Sequence, residues 1–277
     1  MRMNVPYGTM ALVVVMAQVI VAPPASWAQD TRQGGPAQPG TSASFNPRDF
    51  SGFWDLSQGS RGISRRPGED MPPMTPLGQK QLEANKPSYG PRAVPPSVGN
   101  DAVGECNPQG MPRILLFPRP VEFVMLPDRM FQVFQWHRVL REIWIDGRTL
   151  PADFNPDFRR WYGYSAARWD GNTLVVETAG FDDRAWLDHF GYPKSDQMRL
   201  EERYTRTGPD TIQVNMTIHD PKMYTRPWVA ETKIFTRVPR QETISEGWLG
   251  LMEELCVPLD ELDFNRRVRD AAGGVRR

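Results

Sequence analysis

The chain has three histidines, His137, His189 and His219, and any imidazole chemistry must come from them. A zinc site needs three or four ligands converging at about 2.0–2.3 Å. No His-x-His, His-x-x-x-His or His-Glu-x-x-His spacing brings these residues together. Neither a metal, a haem iron nor any other cofactor is therefore expected. Nucleophilic catalysis lacks its motifs too. There is no Gly-x-Ser-x-Gly elbow, and Ser165 and Ser195 have no base close in sequence. No glycine-rich loop opens a helix after a strand, as phosphate and dinucleotide sites require. General acid–base work remains open, because it needs only a carboxylate or imidazole moved toward neutrality by a dry setting. Its candidates are His137, Glu177, Asp196 and His219. The stretch WLDHFGYPKSD, residues 186–196, gathers Asp188, His189, Tyr192, Lys194 and Asp196 in one connection. Loops generally run over the surface, so this one is expected to be a solvated connection. Asp146-Gly147 and Asp220-Pro221 read as turns.

A second group of polar residues sits on a hairpin. GYSAARWDGNTLVVETAGF, residues 163–181, reads as two strands around Asp170-Gly171-Asn172. Whichever adjacent pair forms the turn, facing positions sum to an odd number. Tyr164, Ala166 and Arg168 then share a face with Thr173, Val175 and Glu177, while Ser165, Ala167 and Trp169 share the other with Leu174, Val176 and Thr178. The second face is the more apolar, so Trp169 is expected inward and Arg168–Glu177 is expected to be an exposed cross-strand pair. If the polar face lined a cavity instead, Tyr164, Arg168 and Glu177, with His189 and Tyr192, would hold a ligand.

The elements that must position these residues are mostly strands. Phe50, Gly52, Trp54 and Leu56 alternate at the start. From Arg113 to Val238 the period is two: RILLFP, VEFVMLP, MFQVFQWHRV running into LREIWID, the hairpin, MRLEERYTR, TIQVNMTIHD and PWVAETKIFTRV. Short turn signals separate them and no helical pattern intervenes, which argues an antiparallel meander. Eight to ten such strands close most simply into a barrel without exposed edges. Between strands one and two lies a Pro- and Gly-rich arm, 58–112, which must wrap the barrel or cover its mouth. Within it Thr75 can cap a helix, Pro76 suits the first helical position and Pro87 stops it. The tail, 245–277, predicts helices over 245–255 and 258–272, with Leu255, Leu259 and Leu262 as an apolar seam.

The N-terminus reads as a cleaved secretion signal. Arg2 precedes an apolar run from Met10 to Val21, and Ser26-Trp27-Ala28 ends in a cleavage pattern. The run is shorter than the roughly 20 residues that span a bilayer. Residues 1–28 would be removed and 29–48 would be a disordered leader, leaving a single barrel domain over 49–277. Export to the periplasm or medium permits Cys106 and Cys256 to form a disulfide. The 33 basic and 33 acidic side chains balance, which gives no footprint for nucleic acid and none for a membrane surface. No membrane insertion is expected after cleavage, and the oligomeric state is not specified.

Gly52-Phe53-Trp54 resembles the Gly-x-Trp signature that opens lipocalin-type barrels. CNPQGMPR (106–113), IDGR (145–148), the hairpin, WLDHFGYPKSD, ERYTR (202–206) and IHDPKMYTRPW (218–228) together resemble a large group of secreted bacterial proteins without an established activity. The resemblance implies an exported, lipocalin-like barrel and carries over no catalytic residue. Many members have His where this chain has Tyr164 and Tyr192, so a His-based site does not transfer. The fold expected is all-β, an antiparallel barrel of 8–10 strands with a Pro-rich N-terminal arm and short C-terminal helices. The function that follows is binding of a small, mainly apolar or aromatic molecule. An acid–base enzyme of hydratase, isomerase or hydrolase type, and a structural or interaction protein with a filled barrel, stay open as alternatives. A His and a carboxylate meeting in one enclosed pocket would favour the enzyme.

Overall fold

The computed structural model describes residues 45–95, 98–238 and 250–269. The expected secretion signal, most of the expected leader and the start of the first expected tail helix lie outside the described residues.

The alternating segments form ten strands: β1 (Gly52–Gln58), β2 (Val121–Met125), β3 (Arg129–Phe134), β4 (Leu140–Trp144), β5 (Tyr164–Asp170), β6 (Thr173–Ala179), β7 (Arg199–Gly208), β8 (Thr211–His219), β9 (Trp228–Val229) and β10 (Lys233–Arg237). β1 to β8 pair in chain order. β10 pairs with both β8 and β1, which closes a barrel of nine strands, and the short β9 lies on the free part of β8. Closure leaves the main ladder no open edge.

One parity class of every strand points inward and fills the interior. Trp54, Phe123, Leu174, Val176, Tyr204, Ile212 and Val214 are all completely buried there. Each fully buried aliphatic or Phe side chain contributes roughly 1.5–3 kcal/mol. Trp54 donates its indole N–H to the Phe50 carbonyl at 2.8 Å, and the Arg237 guanidinium lies 4.4 Å from its ring. The barrel is a packed core rather than an open lumen.

The hairpin behaves as parity requires. Its register pairs Asp170 with Thr173, so Gly171-Asn172 is the turn, with Gly171 at φ +59°. Leu174 and Val176 face inward with Trp169, whose ring stacks on Phe50 at 5.9 Å. The end of the expected leader is ordered on this hairpin: Arg48 donates to the Gly171 carbonyl at 2.7 Å and covers Trp169.

The meander is antiparallel except at one joint. β4 and β5 run parallel, and only Ile143–Ser165 and Trp144–Ala166 pair. A parallel pair cannot be joined by a tight turn, so residues 145–163 must travel back along the outside of the wall. All other long connections, 59–120, 180–198 and 220–232, consequently emerge at one end of the barrel. That end is sealed by the arm. Ile63 is fully buried, its N–H donates to Asp188 and its carbonyl accepts from Glu231 N–H. Helix α1 (Pro76–Ala84) forms where expected, with Thr75 Oγ1 accepting from Gly78 N–H at 3.0 Å.

Three segments depart from expectation. Arg113–Leu116 is a 3-10 turn, not a strand: all four residues are buried, so the segment never needed two contrasting faces. FQWHRV does not run straight into LREIWID, because His137 and Arg138 take positive φ and turn β3 back into β4. In the tail, helix α2 (Pro258–Phe264) forms, but 250–255 is irregular and Glu254 bridges to Trp136. Leu255, Leu259 and Leu262 are exposed rather than packed as a seam. The disulfide Cys106–Cys256 is formed across 150 residues and ties arm to tail. No helix among the described residues is long and apolar enough to cross a membrane.

Candidate functional site

Inside the barrel lies a buried ionic cluster. Arg141 on β4 and Glu202 on β7 are 2% and 0% exposed and form a bidentate pair. Arg141 also donates to Gln132 Oε1 (3.0 Å), Ser165 Oγ (3.1 Å) and Thr178 Oγ1 (2.8 Å). Tyr204 donates to Glu202 at 2.7 Å and accepts from Gln132 at 3.0 Å. Every guanidinium edge therefore has an acceptor. Burial, opposed by the Glu202 charge, leaves Arg141 above its ordinary pKa, and burial beside that carboxylate holds Tyr204 well above the usual phenol range. A network this complete stabilises a unique interior. It leaves no donor for a ligand.

The accessible chemistry is outside the wall. At the β4–β5 joint, where only two residue pairs hold the sheet together, the crossover 145–163 encloses a cleft of about 660 Å³. Trp144 and Tyr164 point outward into it from the two strands, and Phe154, Phe158 and Tyr162 line it from the crossover. Gly180 lets the crossover approach, since a Cβ there would sit 2.6 Å from the Phe154 ring. Phe154 stacks on Tyr164 at 5.4 Å, and Arg160 lies 4.2 Å above the same ring. Trp144 is held between Arg129 and Arg148, each within 4.2 Å of its ring. Arg148 is paired with Asp146 and Arg129 with Glu142, whereas Arg160 has no carboxylate partner among the described residues. Arg141 and Ser165 reach the floor of the cleft through the gap between the strands. Burial pushes the Tyr162 phenol upward.

The loop WLDHFGYPKSD is not a solvated connection. Every residue from Trp186 to Ser195 except Phe190 is buried. The arm and the 220–232 connection stack on it at the sealed end, and its backbone groups are met internally. Asp188 accepts from Ile63 N–H (3.1 Å) and Phe190 N–H (2.9 Å), Asp220 accepts from Ser195 N–H and Oγ–H (both 2.6 Å), and Asn85 donates to the Gly191 carbonyl. Burial pushes the Asp188 carboxyl up to about 6. It also pushes the Lys194 ammonium down to about 7, where Lys194 donates to the Met111 carbonyl at 3.2 Å and lies 4.8 Å from the Phe181 ring.

The structure does not bring the sequence candidates into one site. Tyr164 belongs to the cleft at the joint. Arg168 and Glu177 form their ion pair at 2.7 Å on the outer wall, 61% and 49% exposed, and do not line the interior. Tyr192 is buried with its ring against Trp228. His189 sits on the sealed end, and burial together with the charges of Arg113 and Arg61 keeps it neutral. Asp196 and His219 share a cleft of about 530 Å³, but Asp196 is occupied by Arg159 (2.5 Å) and Lys222 (2.6 Å). His137 occupies the β3–β4 turn, where burial lowers its pKa against the opposing charge of Glu254. Among the described residues no three His, Cys, Asp or Glu converge as metal ligands.

The residues that build these sites carry only weak signals in the sequence. Residues 149–162 carry no strand or helix period, although Phe154, Phe158, Trp161 and Tyr162 make the segment unusually aromatic. The Arg141–Glu202 pair carried a signal too: Arg141 shares the parity of Ile143, and Glu202 that of Leu200 and Tyr204, so both charges were due to point inward.

These features define a closed, filled all-β barrel whose open clefts are built by its connections. No protein-family model matches the chain, and no curated protein matches it.

Proposed function

We propose that this is an exported barrel protein that binds a small, mainly apolar molecule with an aromatic ring, and that it does so in the cleft at the β4–β5 joint rather than in a lumen. The observation that supports this is the lining of that cleft: five aromatic side chains around about 660 Å³, with Arg160 at its edge as a cation that has no carboxylate partner among the described residues. Small-molecule sites are typically ~300–1,000 Å³, mostly apolar, with a few polar groups that orient the ligand. Aromatic pairs in offset or edge geometry contribute roughly 0.5–1.5 kcal/mol each beyond burial.

The acid–base alternative finds less support, because the carboxylates around the histidines are already engaged. Asp188 is spent on backbone N–H groups, Asp196 on two cations, and Glu254, whose charge bears on His137, on Arg119. The filled interior favours the remaining alternative, a structural or interaction protein, and the same experiment separates the two. Neutral 2-naphthol would be titrated against the exported protein and against Trp144→Ala and Tyr164→Ala. Saturable binding that weakens at least tenfold in both variants supports the site. Equal binding in all three, or none, would leave the filled barrel as a scaffold.

A further inference from the structure

A smaller cleft, of about 370 Å³, lies on the sealed end of the barrel and does not depend on the one at the joint. Its walls are Arg61 and Tyr89 from the arm, Phe117 and Arg119 after the 3-10 turn, and His189 and Phe190 from the buried loop. Three observations set it apart from an incidental gap between loops.

The first is that its rings are held in place. Phe190 is wedged between two glycines: a Cβ on Gly62 would lie 2.4 Å from the Phe190 ring and one on Gly90 would lie 2.5 Å from it. Only glycine on both sides admits the ring. Tyr89 meets the His189 imidazole edge-on at 6.2 Å, and Phe117 lies 5.5 Å from it and packs in turn on Trp136 at 4.7 Å. A flat partner would meet rings that are already ordered, which lowers the entropic cost of binding.

The second is a polar atom with unmet bonding. His189 is 4% exposed, and its Nε2 is buried with no hydrogen-bond partner. A buried polar group in that condition favours any partner that completes its bonding. The third is the sign of the local field. Arg61 and Arg113 both bear on the imidazole as positive charges. Arg113 is neutralised by Asp101 and Arg119 by Glu254, but Arg61 is exposed with no carboxylate partner among the described residues.

We infer that this cleft binds a small aromatic carboxylate, of one or two rings, with its ring between Tyr89 and Phe117 and its carboxylate reaching Arg61 and the imidazole N–H of His189. The volume is near the lower end for small-molecule sites, which limits the ligand to that size. A charge-assisted bond to Arg61 distinguishes the acid from its alcohol.

The probe is benzoate, with benzyl alcohol as the uncharged comparison, titrated by calorimetry into the intact, disulfide-bonded protein at low ionic strength. Benzoate is expected to bind at millimolar affinity or tighter, and benzyl alcohol at least tenfold more weakly. Arg61→Gln alters an exposed side chain, so it should keep the fold while removing that preference. His189→Leu should weaken benzoate a further several-fold, and His189→Gln, which keeps an N–H donor, should restore part of it. Tyr164→Ala, in the other cleft, should leave benzoate binding unchanged. Absence of benzoate binding would overturn the inference, as would equal affinity for benzyl alcohol or indifference to Arg61→Gln. Loss of binding in Tyr164→Ala but not in Arg61→Gln would place the ligand at the joint and refute this site.

Discussion

Arg141→Met tests whether the barrel interior is held by its ionic cluster. The substitution removes the guanidinium but keeps an unbranched side chain of similar reach. Glu202, 0% exposed, then loses its countercharge and both guanidinium bonds, and keeps the Tyr204 hydroxyl at 2.7 Å. Gln132 Oε1, Ser165 and Thr178 lose Arg141 as a donor as well, although the two hydroxyls still bond each other. Removing one partner of a buried pair typically costs about 3–5 kcal/mol, because the survivor is left uncompensated. That is a large share of the ~5–15 kcal/mol that holds a domain folded. With a urea slope of ~2 kcal/mol/M, the unfolding midpoint should fall by roughly 2 M. The double variant Arg141→Met/Glu202→Met removes both charges and leaves Gln132 and Tyr204 bonded to each other. Apolar replacement of a whole buried pair is often neutral or stabilising, so the double variant should recover most of the loss. The assay is urea unfolding followed by tryptophan fluorescence with the disulfide intact. A single variant within about 1 kcal/mol of the parent, or a double variant no better than the single, would refute the reasoning.

Three further outcomes are expected. Lys194, lowered to about 7 by burial, is neutral in the folded state over a range where the unfolded chain still binds a proton, so stability should rise between roughly pH 7 and 10. Lys233, also lowered by burial, adds in the same direction, whereas Asp188, raised to about 6, makes stability fall between roughly pH 4 and 6. Lys194→Met should remove most of the alkaline rise and be no less stable than the parent at pH 6; an unchanged pH profile in thermal unfolding would contradict this. Gly78→Ala should destabilise although alanine is the better helix former by about 1 kcal/mol. Its Cβ would fall 2.3 Å from the Met223 carbonyl, and overpacking costs about 1–3 kcal/mol; a raised melting temperature would show that α1 can shift outward. Glu177→Gln, in an exposed pair, should change stability by no more than about 1 kcal/mol, and a larger loss in urea unfolding would mean that the outer wall is covered.

Much of the barrel was legible because a period of two is a direct imprint of a wall with one dry face. Leu200, Tyr204, Ile212, Val214 and Met216 alternate with charged or polar neighbours, and each is buried. The cap of α1 was legible for a similar reason: Thr75-Pro76 satisfies the first turn from within three residues. The direction of β5 relative to β4 was not. It depends on where residues 145–163 find surface to lie against, and that surface is made by Gly180 and Tyr164 on another hairpin. The burial of WLDHFGYPKSD was equally hidden, since its hydrogen-bond partners, Ile63 N–H, Asn85 and Asp220, come from segments far away in sequence.

By itself the sequence determined that strands alternate, that Gly163–Phe181 has one apolar and one polar face, that two cysteines are available to pair, and that no local motif specifies a metal or a nucleophile. These are properties of short stretches and follow from local geometry. Only the tertiary structure decided which way the faces turn, that Arg141 and Glu202 meet across the interior, and that aromatic-lined clefts lie at the β4–β5 joint and on the sealed end. The physical reason is that a cleft is made from the gap between surfaces of distant segments. Its shape is set by packing, and no single segment contains it.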